Sequence, residues 1–306
     1  MRIAIMAAGA VGGYFGARLA AAGNEVSFVA RGMQLDALRT RGLRVESPLG
    51  DIHIRPARAT SDPREIGAVD IVLFAVKLWD TETAAAAARP LVGAATRVVT
   101  LQNGVDSVER LRPILGEDQV AGGTTHIATV VSAPGVITHT SRFAQLKCGR
   151  VDRRTDAALH DFVACAQAAG IDAMASDDIN LDRWKKFTFL VGLSGATGMT
   201  RLPLGPILAD ADTRAFFLAL MQETVVVGRA SGVALPPDFA SDRLAFADTT
   251  PPGFKASLLH DLERGSRIEL DWLAGKVVEL GRRLNIPTPA NGAAYAALKL
   301  HRQGHA

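Results

Sequence analysis

The chain has 306 residues, 48% hydrophobic and 21% charged, with a formal net charge of +3. This composition excludes a disordered chain and supplies enough apolar surface to core two domains. The Lys and Arg are scattered, so the charge argues for a solvated surface with some attraction for small anions, and against a nucleic-acid interface.

Arg2–Met6 is a short apolar run, Val11–Ala22 is Ala- and Gly-rich with helical spacing, and Glu25–Ala30 is β-branched and aromatic. Asp70–Val76 and Arg97–Gln102 are apolar runs of the length expected for strands buried on both faces. This alternation predicts a mostly parallel sheet with helices on both sides. Around Pro134-Gly135, the segments Thr124–Val131 and Val136–Thr140 predict an antiparallel hairpin at the sheet's edge. Arg154–Ala169 then predicts a helix and Ile171–Ala175 a last strand.

Beyond Ser176 the strand signals stop. Helices are predicted over Asp182–Thr197, Asp212–Ser231, Phe254–Glu263, Ser266–Leu284 and Ala290–Arg302, punctuated by prolines. Leu270, Leu273, Val277 and Leu280 recur at helical spacing and should face a core. The expectation is a Rossmann-type α/β domain over 1–176 followed by an all-α domain over 177–306.

The first segment carries a motif. Gly9 and Gly12 have the spacing of the second and third glycines of a dinucleotide-binding turn, with a strand before and a helix after. Ala7, Ala8, Gly9, Ala10, Val11 and Gly12 would form the turn that presents backbone N–H groups to a pyrophosphate. Ala7 replaces the first glycine, which would be costly if that position needed a left-handed backbone. Gly16 and Gly23 fit packing and helix-end roles. The second strand ends in Ala30-Arg31-Gly32 with no acidic residue for the ribose hydroxyls. Arg31 can pair with a 2′-phosphate, which favours NADP(H) over NAD(H); an ordinary surface arginine is the plain alternative.

Lys77 and Asn103 each follow a predicted parallel strand, where ligands bind in such sheets, although a loop lysine and an Asn-Gly turn would also account for them. Lys186, Leu190, Ser194 and Thr197 form one helical stripe. On spacing alone an interhelical ion pair explains Lys186, and a favourable helix dipole explains Glu269 at the start of its helix. The histidines show no triad or metal spacing, and His126 reads as structural. The two cysteines, Cys148 and Cys165, make neither a metal motif nor a disulfide framework, which fits a reduced cytoplasmic compartment. Arg18 interrupts the first apolar stretch, so a secretory leader is not expected, and neither is a membrane span.

In order and spacing, several blocks together resemble the ketopantoate reductase (2-dehydropantoate 2-reductase) family across essentially the whole chain. They are AAGAVGGYFGARLAAAG at the start, Ala75–Lys77, Leu101–Gly104, Thr124–His126, RWKK, Ser257–Gly275 and Ile286–Pro289. The resemblance implies an active site in a cleft between a Rossmann domain and a helical domain, with NADP(H) as cofactor and a small 2-oxo acid as substrate. It also implies that Lys186 is the general acid, that Glu269 holds the substrate and positions that lysine, and that Ser257 binds the substrate carboxylate. Lys77 and Asn103 would lie near the nicotinamide and substrate, and Ser194 would contact substrate. Archetypal members carry asparagines where this chain has Leu190 and Ser194; leucine cannot make such a hydrogen bond, which redirects specificity. A related two-domain dehydrogenase acting on another hydroxy acid, imine or opine is the alternative. A non-catalytic NADP-binding sensor is the alternative of another class. An exposed helical face allows a homodimer.

Overall fold

The apolar runs pair into two sheets in the computed structural model, which describes residues 1–304. In chain order the strands and helices begin with β1 (Arg2–Met6), α1 (Ala10–Ala21), β2 (Glu25–Val29), α2 (Gly32–Arg41), β3 (Leu43–Glu46), β4 (Ile52–Ile54) and β5 (Arg58–Thr60). They continue with β6 (Ile71–Phe74), α3 (Thr81–Ala88), β7 (Arg97–Thr100), α4 (Ser107–Leu115), β8 (Val120–His126), β9 (Thr129–Ala133) and β10 (Val136–His139). Then follow β11 (Gln145–Gly149), α5 (Ala157–Ala168), β12 (Asp172–Ala175) and the long α6 (Ile179–Thr200). The remaining helices are α7 (Leu204–Ala209), α8 (Ala211–Ala230), α9 (Phe239–Asp248), α10 (Ser257–Glu263), α11 (Ala274–Arg283) and α12 (Pro289–Leu298). The chain divides into one compact unit over Met1–Asn180 and a second from Leu181 onward.

The main sheet of the first unit has the order β12-β11-β8-β7-β6-β1-β2-β5. Its strands run parallel from β5 through β8, and β11 pairs antiparallel with β8. Residues alternate between two apolar layers because successive side chains point to opposite faces. Ile3, Ile5, Ile71 and Leu73 face α1 and α5, while Ala4, Met6, Val72 and Phe74 face α3 and α4. The mostly parallel, doubly covered sheet is the one expected. Its strand order reverses at β1, which lies between β2 and β6, and in sheets of this kind ligands bind beyond the carboxyl ends of the strands at such a switch point.

Three expectations need correction. The hairpin around Pro134-Gly135 forms, but not at the main sheet's edge: β9 and β10 join β3 and β4 in a separate sheet of order β4-β3-β10-β9. The Thr124–His126 segment belongs instead to β8, inside the main sheet. The small sheet covers the outer side of α1, which is why that helix buries Tyr14, Phe15, Ala17 and Leu19 together. Finally, the single helix expected over Ser266–Leu284 is broken. A short 3-10 turn at Leu270–Trp272 precedes α11, and Leu273 between them has φ −107° and ψ −104°, which no helix accommodates. Glu269 therefore caps that turn and does not open a long helix. Leu270, Leu273, Val277 and Leu280 are nonetheless all buried.

Candidate active site

The turn expected to hold a pyrophosphate lies at the switch point, between β1 and α1. Gly9 is the extended N-cap residue of α1, and no side chain caps that terminus. A Cβ built on Gly9 would have no neighbour within 4 Å, so open space surrounds it on the side where a ligand would approach. Gly12 is the opposite case. A Cβ there would collide with the Ala7 carbonyl oxygen and come within 2.9 Å of Ile5 Cγ2, so only glycine lets α1 lie this close to β1. Gly16 packs the same way, its Cβ position lying 2.6 Å from the Phe28 ring. Gly23 ends α1 with φ +86°, the helix-end role expected of it. Ala7 is not among the left-handed residues, so its replacement of glycine carries no backbone strain of that kind. This cradle fits a dinucleotide: an open glycine, an uncapped helix start and a carboxyl-end position coincide.

Arg31 stands just past β2, in extended backbone as the N-cap residue of α2. It is exposed, and among the described residues its guanidinium has no ion-pair or hydrogen-bond partner. Gln34 on α2 was not anticipated from sequence. Its amide donates to the Ala8 carbonyl at 3.0 Å and accepts from Gly135 N–H at 2.9 Å, tying the turn after β1 to the β9–β10 hairpin. No sequence signal marks it, since its two partners lie far apart in the chain.

Lys77 follows β6 and is exposed, with its ammonium 5.5 Å from the centre of the Trp79 ring. Asn103 follows β7, half-buried, before a left-handed Gly104 with φ +83°. The parallel register of β6 and β7 sets both residues at the same end of the sheet as Gly9. His126 is exposed at the carboxyl end of β8.

In the second unit, α6 carries the RWKK block. Lys186 keeps partial solvent access, yet burial pushes its pKa down to about 8, against an opposing pull from the nearby Glu269 carboxylate. Glu269 is itself buried. The structure thus brings these two into one electrostatic environment, which neither the ion-pair nor the helix-dipole argument could establish. One turn on, Leu190 is half-buried, and Ser194 is buried with no hydrogen-bond partner for its hydroxyl among the described residues. The other hydroxyls of α6 bond back along the helix: Thr188 Oγ1 to Trp184 O at 2.9 Å, Thr197 Oγ1 to Leu193 O at 2.7 Å. Ser257 is the exposed first residue of α10. Cys148 is buried and pushed up to about 12, so it is an inert thiol, and Cys165 donates to Asn24 Oδ1 at 3.0 Å. Among the described residues no helix is long and apolar enough to cross a membrane.

The model of the ketopantoate reductase PanE/ApbA family matches residues 3–153, and the model of its C-terminal part matches residues 178–302. A 2-dehydropantoate 2-reductase of Mesorhizobium japonicum is 34% identical, over 98% of this chain and 97% of its own. The crystal structure of a PanE/ApbA family ketopantoate reductase from Ralstonia eutropha superposes with a TM-score of 0.89 at 35% identity, covering 99% of this chain and 98% of that one. A 2-dehydropantoate 2-reductase from Geobacter metallireducens superposes with a TM-score of 0.92 at 28% identity, covering 98% of this chain and 99% of that one. With both parts of the family model matched and the fold shared end to end, this chain belongs to the ketopantoate reductase family of NADP-dependent oxidoreductases.

Proposed function

We propose that this chain reduces a small 2-oxo acid with NADPH, 2-dehydropantoate being the first substrate to test and pantoate, on the way to pantothenate, the product. The observation that carries this reading is Lys186: a largely desolvated ammonium with a pKa of about 8, beside a buried carboxylate. A lysine so placed is mostly protonated at neutral pH and gives up its proton readily.

When bound, the nicotinamide supplies the hydride. The backbone of Ala7, Ala8, Gly9, Ala10, Val11 and Gly12 would hold the pyrophosphate, and the exposed Arg31 would hold the 2′-phosphate. Lys77 and Asn103, at the same strand ends, would lie against the nicotinamide and substrate. Lys186 would protonate the ketone oxygen as negative charge develops there, where a desolvated cation stabilises most. Glu269 would hold the substrate and keep Lys186 charged, and Ser257 and Ser194 would contact its polar groups.

Steady-state turnover of 2-dehydropantoate and a panel of branched 2-oxo acids, with NADPH and NADH side by side, tests this. NADPH-preferring reduction of a 2-oxo acid supports it; no oxidation of NADPH with any of them sinks it. Leu190 favours a second reading. Its apolar side chain, one turn from Lys186, suits a substrate lacking a polar group there, such as another hydroxy acid, imine or opine. The same panel, extended to imines, separates the two.

A further inference from the structure

Gln102 is buried, yet no turn or strand requires a carboxamide at that position. Every hydrogen-bonding group of its side chain is used. Nε2 donates to the Val76 carbonyl at 3.1 Å and to Thr81 Oγ1 at 2.8 Å, and Oε1 accepts from Thr100 Oγ1 at 3.2 Å. The network continues beyond Gln102. Thr81 Oγ1 donates to the Leu78 carbonyl at 2.8 Å, and Arg110 Nη2 donates to the same oxygen at 2.8 Å. Arg110 is held in turn by both oxygens of Glu82, at 2.7 and 2.8 Å.

The partners define what this network does. Val76 is the residue before Lys77, Leu78 is the residue after it, and Gln102 itself precedes Asn103. One side chain therefore clamps the loop after β6 to the loop after β7, at the peptides flanking both candidate ligand residues. A backbone bond from Leu101 N to Phe74 O at 2.8 Å aligns the strand ends but stops short of these loops.

We propose that Gln102 is a positioning residue for the nicotinamide cofactor, fixing Lys77 relative to Asn103 through the Val76 carbonyl and Thr81. This rests on the proposal that Lys77 and Asn103 contact the cofactor and substrate. A group misplaced by about 1 Å loses on the order of a hundredfold in effectiveness, so the clamp has a measurable consequence.

The test is a double-mutant cycle of Gln102→Leu and Lys77→Ala, read by NADPH fluorescence titration and by kcat and KM for NADPH. Gln102→Leu is expected to weaken NADPH binding roughly ten- to hundredfold, the scale of one charge-assisted contact. It should weaken little further when Lys77 is already alanine, because the clamp acts through that lysine. Thr81→Val, which removes one partner and leaves Gln102 in place, should show a smaller loss with the same coupling, and it carries the cycle if Gln102→Leu does not fold. Strictly additive losses, or unchanged NADPH binding in a folded variant, overturn the proposal. If instead wild type and Lys77→Ala bind NADPH alike, the assignment of Lys77 to the site falls first. That result is distinguishable because it appears before any change at Gln102.

Discussion

The ends of β6 and β7 and the middle of α6 treat buried polar groups in opposite ways. At the strand ends, Gln102, Thr100 and Thr81 are buried and bond to one another or to backbone. In α6, Lys186 is desolvated to a pKa of about 8, and the Ser194 hydroxyl has no partner among the described residues. Satisfied networks rigidify, whereas an unsatisfied or desolvated group keeps interaction energy available for a ligand. The difference separates a region whose polar groups hold a shape from one whose polar groups would, under the proposed function, act on what arrives.

The sharpest way to break that comparison is Lys186→Ala. It should lower kcat by ~10²–10⁴-fold while NADPH affinity, measured by titration, stays near wild type. In the wild type, acid catalysis should fade as pH rises through about 8, because only the protonated lysine donates. Glu269 raises the Lys186 pKa, so Glu269→Gln should move that alkaline limb to lower pH. A flat profile with chemistry rate-limiting would remove Lys186 from the general-acid role.

Next in size is Arg31→Asp, a test of the binding region alone. Loss of a charge-assisted contact to the 2′-phosphate should shift the NADPH-to-NADH preference roughly ten- to hundredfold toward NADH, with kcat at saturation little changed. An unchanged preference would make Arg31 an ordinary surface residue.

The glycines separate fold from ligand. Gly12→Ala forces a Cβ against the Ala7 carbonyl and Ile5 and should cost ~1–3 kcal/mol in thermal or urea unfolding. Gly9→Ala meets nothing within 4 Å, so stability should hold within about 0.5 kcal/mol while NADPH binding weakens. Equal stability losses at both positions would erase the distinction between packing and approach.

The smallest effect concerns His139, a satisfied group like Gln102. Its Nδ1 lies 2.8 Å from Ser47 Oγ, its Nε2 2.8 Å from Ser141 Oγ, and its ring 4.7 Å from that of Tyr14. Burial, aided by Arg18, holds its pKa below the ordinary value of 6.5. The unfolded chain therefore takes up the proton first, so stability is full above about pH 6.5 and declines as pH falls below it. His139→Gln should flatten that acid limb of the melting temperature; an unchanged slope would place the titration elsewhere.

Much of this was legible in the sequence. Period and length exposed β1, β2, β6 and β7, and the spacing of Gly9 and Gly12 located the turn between β1 and α1. The order of blocks from Ala7 to Pro289 pointed to the family. What stayed hidden depends on partners distant in the chain. The β3–β10 pairing joins Arg44 to Val136, so the second sheet left no local trace. Apolar spacing through Leu270 and Leu273 reads as one helix because it is blind to a backbone break between its members. Gln102 was visible as a letter in LQNG, but its role exists only through Val76 and Thr81.

The burial of α1 between two sheets has one further consequence, for the thermodynamics of ligand entry. Its amides belong to the part of the first unit expected to exchange slowest with solvent, since opening them requires undoing both layers. A dinucleotide docking on the start of that helix would find its N–H groups already ordered. Calorimetry should then show a small heat-capacity change and little folding coupled to binding.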